Sequence, residues 1–377
     1  MLIDQLPTPC LVLDEARMDR NIARMRERLR GLGVAQRPHL KTCKNVEIAR
    51  RMMATPAGPA TVSTLEEATQ FAAAGVRDIL YAVGIAPNKL ARVIALRRAG
   101  IDLSVILDSV AQAEAVVRAG RDGGERIPVL IEIDADGHRA GVRPGDPLLI
   151  AIGHALHEGG AQLRGVMTHA GGSYDRPGAD AIAAAAEQER DAVVRSAAAL
   201  RAAGLPCPVV SVGSTPTASF ARDLSGVTEV RAGVYVFQDL VMAGLGVCAL
   251  DDIAVSVLAS VIGHQRDKGW ILVDAGWMAT SRDRGTASQA IDQGYGLVCD
   301  AGGRPWADLV VSGANQEHGI VSLRTGSRAA LPELPVGALV RILPNHACAT
   351  AAQHAGYHVL GPDRRSVTAW WPRFSGW

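Results

Sequence analysis

The chain has 377 residues, 48% of them hydrophobic, which is apolar material for more than one large core. Its 39 Lys plus Arg are balanced by 38 Asp plus Glu, a net charge of +1, so no basic excess exists to attract nucleic acid or a membrane surface. Length alone suits two domains, or one barrel of about 250 residues with an appendage.

The amino terminus, MLIDQLP, lacks the basic start and continuous apolar core of a secretory signal and reads as that of a cytoplasmic chain. The run 10–13 after Pro7-Thr8-Pro9 reads as a strand that joins a β domain formed by distant residues. Between about residues 35 and 237 eight β-branched runs follow, at 37–41, 60–63, 79–83, 103–107, 129–134, 163–169, 209–213 and 229–237. Patterns of helical period separate most of them, at 46–54, 65–74, 89–98, 111–119 and 179–203. Eight strands alternating with helices predict a (β/α)8 TIM barrel over residues 15–248. After residue 250 the pattern changes to β-like runs at 253–261, 270–273, 309–311, 318–323 and 338–343, so residues 1–14 and 249–377 are expected to form a mostly β domain. The longest apolar stretch, 253–262, falls far short of the roughly 20 residues that span a bilayer. Six Cys at irregular spacing read as free thiols of a reducing compartment.

Three constellations could carry chemistry. Lys41 ends the first predicted barrel strand, where apolar walls would disfavour its ammonium form and keep it nucleophilic. Gly213, Ser214 and Thr215 after the seventh strand, with Gly233 and Tyr235 after the eighth, stand where barrels commonly hold phosphate. His346 and Cys348, two apart on a predicted strand, would project from one face as soft ligands for a metal whose other positions stay open. Smaller polar clusters contain Arg139, His169 and Tyr174, and Asn315-Gln316-Glu317-His318, the last suited to orienting a metal-bound water. Taken singly, each of these is weak: strand-end turns, a solvated Lys or a core His beside a Cys would look the same.

Together, RPHLKT at 37–42, IEIDADGHRAGV at 131–142, THAGGSY at 168–174, SVGSTPT at 211–217, TEVRAGVYVF at 228–237, ANQEHG at 314–319 and PNHACAT at 344–350 make a pattern that resembles the fold-type III pyridoxal-phosphate enzymes. The likeness is to the D-serine dehydratase and D-threonine aldolase branch, whose barrel is alanine-racemase-like, and it covers nearly the whole chain. It implies that Lys41 carries pyridoxal 5'-phosphate as a Schiff base, with Tyr174 facing the pyridine nitrogen and Arg139 near the phenolic oxygen. His169 would join these in the cofactor site, and the phosphate would rest on Gly213, Ser214, Thr215, Gly233 and Tyr235. His346 and Cys348 would bind a divalent metal ion (Zn, Mn or Co).

The implied reaction is dehydration of a D-3-hydroxy amino acid, such as D-threo-3-hydroxyaspartate or D-serine, to a keto acid and ammonia. Aldol cleavage to glycine and an aldehyde is the alternative. The aldolases carry a carboxylate where this chain has Cys348, which favours dehydration; racemisation would have no use for the metal pair. A non-catalytic carrier of the cofactor is a reading from another class, against which the large β domain stands. The resemblance also implies a homodimer, while His138, Arg282 and Arg284 are candidates for recognising the substrate's side chain. One departure is that Cys43 stands where the family's lysine motif often has a His.

Overall fold

The computed structural model describes residues 1–377. The chain divides into two compact units, Met1–Ala23 with Val234–Phe374 and Arg24–Gly233 with Ser375–Trp377. The bounds differ from the expected 15–248 because the chain leaves the barrel unit at Gly233 and not near residue 248.

The barrel unit has eight parallel strands: β2 (Ala35–Gln36), β3 (Ala60–Val62), β4 (Asp78–Gly84), β5 (Asp102–Leu107), β6 (Pro128–Ile133), β7 (Gln162–Thr168), β8 (Val209–Val212) and β9 (Glu229–Val230). β1 (Cys10–Asp14) belongs to the other unit. The order β2-β9-β8-β7-β6-β5-β4-β3 is completed by a parallel bridge from His39 to Thr61, which brings the two ends of the sheet together. Seven of the eight expected runs contain a strand; the first, 37–41, does not, because β2 lies just before it at 35–36, and the last is cut to two residues. β2 ends at Gln36, and its pairing with the eighth strand continues only as main-chain bonds from Arg37 to Val230 and from His39 to Ala232. Residues 234–236, expected as strand, form a 3-10 turn.

Side-chain caps end several strands and start the helices that follow. Asn45, Thr64, Ser109 and Ser214 accept the N–H of Ile48, Glu67, Gln112 and Thr217, opening α2 (Val46–Met52), α3 (Leu65–Ala73), α5 (Val110–Gly123) and α8 (Thr215–Phe220). Each cap satisfies an orphan N–H that would otherwise cost about 1 kcal/mol. Helix α1 (Glu15–Gly31), α4 (Leu90–Arg98), α6 (Leu148–Glu158) and α7 (Ala179–Ala202) complete the set. α1, with a polar mean composition, is one that the run-by-run reading omits. Leu80, Ile106, Leu130 and Met167 from four neighbouring strands pack into one apolar cluster.

The β unit is a nine-stranded sheet: β1, β10 (Val255–Gln265), β11 (Trp270–Val273), β12 (Leu297–Asp300), β13 (Pro305–Ala314), β14 (Gly319–Leu323), β15 (Leu339–Leu343), β16 (Gly356–Leu360) and β17 (Val367–Pro372). The long β10 pairs with β15 through 257–260 and with β11 through 261–265, so β10-β11-β14-β13-β12-β15 closes on itself. The amino-terminal strand joins it as expected, β1 pairing antiparallel with β10 and parallel with β16. Short helices α9 (Leu240–Gly244), α10 (Trp277–Thr280) and α11 (Ala347–Ala351) lie in this unit. No disulfide forms, and burial pushes the thiols of Cys10 and Cys299 up to about 12. No helix is long and apolar enough to cross a membrane.

One glycine fixes a strand contact of the barrel. Gly165 in β7 has φ +148°, beside a register shift against β6, and a Cβ there would lie 1.9 Å from the carbonyl oxygen of Val209 in β8. Backbone cannot yield as a side chain can, so Gly165→Ala is expected to destabilise the barrel by about 3 kcal/mol or more. The urea midpoint followed by far-UV circular dichroism checks this, and a midpoint equal to the parent's contradicts it.

Candidate active site

The carboxyl ends of the barrel strands gather most of the expected residues. Lys41 lies in the turn 40–43 beyond β2, one residue past the His39 bridge and Leu40, and its main-chain N–H reaches His39 Nδ1 at 3.4 Å. Its side chain is exposed, so the apolar walls expected to desolvate it are not present, because the strand stops short and leaves Lys41 on an open turn. Gly233 backs onto that turn: a Cβ there would stand 2.9 Å from the carbonyl oxygen of His39 and 3.4 Å from Thr42 Oγ1. At Gly213 a Cβ would meet the carbonyl oxygen of Arg231 at 2.5 Å. Only glycine lets these backbones approach so closely, and the approach joins the turns after β8 and β9 to the lysine turn.

His169, at the end of β7, bonds Gly213 O through Nδ1 at 2.6 Å, and the Tyr174 ring stands 6.4 Å away, centroid to centroid. Tyr174 lies on the 3-10 turn Gly171–Asp175. Burial, with Lys41, Arg139 and Arg231 nearby, outweighs the bond to Gly213 and lowers the His169 pKa to about 4. The ring is therefore neutral at pH 7, donating through Nδ1 and leaving Nε2 as a bare acceptor. His39 is likewise held well below its ordinary value, first by burial and then by Lys41, Arg231 and His169. Arg139 projects from the loop after β6 and pairs with Glu132 Oε1 at 3.5 Å.

The other expected residues stand as follows. Ser214 caps α8 and its hydroxyl pairs with Ser173 at 3.0 Å and Thr217 at 2.9 Å. Thr215 is buried as the first residue of α8. Tyr235 belongs to the β unit, where it is 1% exposed in the turn Val234–Val236. Arg284 is engaged by Asp292 at 2.7 Å and by the Tyr295 ring, and Arg282 lies over Trp277. The Asn315–His318 segment is the exposed turn of the β13–β14 hairpin; its carbonyls at 315 and 316 accept the N–H groups of Trp277 and Met278 at the start of α10. It supports the start of that helix.

In the β unit His346 and Cys348 are not on a strand. β15 ends at Leu343, His346 is the residue before α11, and Cys348 lies in that helix's first turn. They still meet, because the helical turn brings them within hydrogen-bond range of each other. Asn345, 2% exposed, pins the preceding residue by donating to the carbonyls of Asp283 at 3.1 Å and Gly294 at 2.6 Å. Asp239 fixes the helix start by accepting the Ala347 N–H at 2.9 Å. His346 Nδ1 bonds Asp283 Oδ2 at 2.7 Å, which leaves Nε2 for a ligand. Burial disfavours the imidazolium, but Cys348 and Asp283 more than offset it and raise the His346 pKa.

Sequence reading missed Asp283, Asp239, Glu189 and His39. Asp283 stands between the two arginines singled out there, and no spacing ties it to a residue 63 positions away.

Both groups of residues fit the ligands that the resemblance implies. In the barrel an exposed amine stands beside two glycine turns so tight that a Cβ would strike backbone. In the β unit an oriented imidazole adjoins a thiol, a donor pair suited to a borderline divalent ion, and no cluster of three or more His, Cys, Asp or Glu forms there or elsewhere.

Comparison with known proteins agrees with this division. Residues 13–240 match the alanine racemase N-terminal domain and residues 254–360 a serine dehydratase domain. The chain is 58% identical over 375 residues to the D-threo-3-hydroxyaspartate dehydratase of Delftia sp. (strain HT23), covering 99% of this chain and 98% of that one. A cysteine-to-alanine mutant of D-threo-3-hydroxyaspartate dehydratase, solved in the metal-free form, superimposes with a TM-score of 0.96 at 56% identity over 100% of both chains. The D-serine dehydratase of Dictyostelium discoideum is 30% identical over 390 residues, 98% of this chain and 97% of that one.

Two measurements test this geometry. Asp283→Asn is expected to weaken divalent-metal affinity about 10- to 100-fold, read by competition with a chromophoric chelator, because the Nδ1 bond that orients His346 loses its charge; unchanged affinity would show that Asp283 does not orient the ligand. His169 is neutral when folded and takes a proton near pH 6.5 when unfolded, so its contribution to stability is full above 6.5 and is lost as pH falls towards about 4. In His169→Asn the fall in the urea midpoint between pH 7 and pH 5 is expected to shrink; an identical fall would assign it to other groups.

Proposed function

Because this chain belongs to the pyridoxal-phosphate enzyme family that joins an alanine racemase-like barrel to a serine dehydratase domain, we propose that it dehydrates D-threo-3-hydroxyaspartate to oxaloacetate and ammonia. The observation that carries the substrate assignment is the 58% identity to the Delftia enzyme over essentially the full length of both chains. D-Serine, giving pyruvate, is the neighbouring substrate in the same family.

A bound pyridoxal phosphate supplies the electron sink that makes the substrate's Cα–H acidic, and a bound divalent metal supplies Lewis acidity at the β-hydroxyl. The roles of this chain's own residues follow from their chemistry. Lys41 Nζ would hold the cofactor and would serve as the base for the Cα proton; such general-base help contributes about 10²- to 10⁴-fold. On the family resemblance, the turns at Gly213–Thr215 and Gly233, with Tyr235, would hold the phosphate, and Tyr174 and Arg139 would hold the ring. His169, neutral and bonded to Gly213 O, offers Nε2 towards the cofactor without adding a second positive charge beside Lys41. His346 Nε2 and Cys348 Sγ hold the metal, zinc being the natural choice for a His and Cys pair and manganese or cobalt the alternatives.

Loss of the hydroxyl leaves an enamine that water converts to the keto acid and ammonia. Aldol cleavage would instead need a base for the β-hydroxyl, and Cys348 in place of a carboxylate favours dehydration. The cofactor-carrier reading is less well supported, since both matched domains span an enzyme family. The six free thiols support a reducing, cytoplasmic compartment, and a homodimer is part of the proposal on family resemblance.

The deciding experiment supplies D-threo-3-hydroxyaspartate, pyridoxal phosphate and divalent metal, and quantifies ammonia plus oxaloacetate against glycine plus glyoxylate. Ammonia and oxaloacetate in equal amounts, abolished by a chelator while the cofactor stays bound, is the expected result. Glycine plus glyoxylate as the main products would replace dehydration with aldol cleavage.

A further inference from the structure

Glu189 stands midway along α7, 2% exposed, its carboxylate turned into the barrel unit and away from water. One oxygen, Oε1, accepts two main-chain N–H groups, from Ala170 at 3.1 Å and from Gly213 at 3.0 Å. The Thr217 hydroxyl bonds the same carboxylate. Ala170 opens the turn that carries Tyr174, and Gly213 opens the turn that carries Ser214 and Thr215. A single carboxyl oxygen therefore ties the ends of β7 and β8 at the level of their exit turns. Two other bonds join the same turns, His169 Nδ1 to Gly213 O at 2.6 Å and Ser173 Oγ to Ser214 Oγ at 3.0 Å. A buried carboxylate is costly unless it is fully bonded, and nothing in the helix's own packing requires one. Both of its main-chain bonds go to the turns, and its third partner, Thr217, lies in the helix that the second turn opens, so its function lies with the turns.

We propose that Glu189 is a positioning residue that sets the spacing between the His169–Tyr174 turn and the Gly213–Thr215 turn, and through that spacing the affinity for a phosphorylated pyridoxal cofactor. The proposal rests on the reading of these two turns as the cofactor site. Among the bonds that join the two turns, Glu189 Oε1 is an acceptor from outside both that takes a main-chain N–H from each. A phosphate gripped by one turn and a ring held by the other needs that distance fixed before binding, which is where preorganisation acts on affinity.

Four variants separate this from a merely structural role. Glu189→Ala removes the acceptor, Glu189→Gln keeps one in place without the charge, and Glu189→Asp keeps the charge but shortens the reach by one methylene. Ser196→Ala, in the same helix, deletes a hydroxyl that bonds Ala192 O and is the control. The readouts on purified folded protein are amide hydrogen exchange of peptides covering 168–176 and 211–217, equilibrium binding of pyridoxal phosphate to the apoprotein, and the denaturation midpoint. In Glu189→Ala the two peptides are expected to exchange at least about ten-fold faster, and the dissociation constant for pyridoxal phosphate to rise roughly 10- to 100-fold, the range for leaving two buried main-chain N–H groups without their acceptor. Glu189→Gln stays within about three-fold of the parent on both counts, since its oxygen can still accept. Ser196→Ala shifts the midpoint alone. If Glu189→Ala does not fold, Glu189→Asp gives the same test, with weaker binding expected by about ten-fold because the shortened side chain reaches one turn and not both. A Glu189→Ala or Glu189→Asp protein with a lowered midpoint but parental cofactor affinity overturns the proposal. Failure of the underlying cofactor reading looks different: the parent chain then binds no pyridoxal phosphate whatever stands at 189, and the proposal falls with it.

Discussion

A guanidinium that cannot shed its proton lies 5% exposed at the end of the eighth barrel strand, and the residues around Arg231 are arranged to satisfy it. It donates to the Thr168 carbonyl at 2.5 Å and to Ser211 Oγ, while Glu229, Glu189 and Glu132 supply the opposing charge. Ser211 in turn bonds Glu229 at 2.8 Å, which also accepts from Arg37 at 2.7 Å, and Arg37 reaches Asp78 at 2.6 Å. This buried positive charge is held by carboxylates from β6, β9 and α7 together, so those elements can pack in only one relation to each other without leaving an unpaired ion. The same charge adds to burial and to the larger effect of Lys41 in lowering the pKa values of His39 and His169. The chemistry of the strand ends thus follows from how the interior of the barrel is neutralised.

In the β unit the equivalent constraint is smaller and local. Asp239 and Asn345 hold the chain on either side of His346 by main-chain bonds, and Asp283 holds the imidazole itself. The pair of donors at 346 and 348 owes its geometry to a five-residue helix that could not persist alone. It persists because its first N–H is taken by a buried carboxylate and Thr350 Oγ1 bonds Thr280 O at 2.7 Å.

Much of the barrel could be read along the chain because a strand buried on both faces is a run of apolar residues, as in 103–107 and 129–133, and the helices between carry period 3.6. The capped strand ends at Asn45, Thr64, Ser109 and Ser214 give further local signals. Legibility failed where neighbouring chain decides the conformation. Residues 234–237 have strand composition yet form a turn, and 344–348 reads as an extension of β15 yet becomes a helix start. The order in which β10 serves first β1 and β15 and then β11 is likewise invisible in its sequence, since one face of an eleven-residue strand looks the same whoever pairs with it.

The sequence by itself determined the eight-strand alternation, the β character of the carboxyl-terminal part and the family that its motifs resemble, and it singled out Lys41, His346 and Cys348 as candidates. Each of these is carried by residue type and spacing within a few positions, which are properties of the chain before it folds. Only the tertiary structure decided that Asp283 orients His346, that Glu189 serves two turns at once, that Ser214's hydroxyl is a cap, and that Lys41 stands exposed on its turn. Those facts depend on contacts across up to 63 positions of chain and on the balance of burial against charge, and neither exists until the strands are assembled.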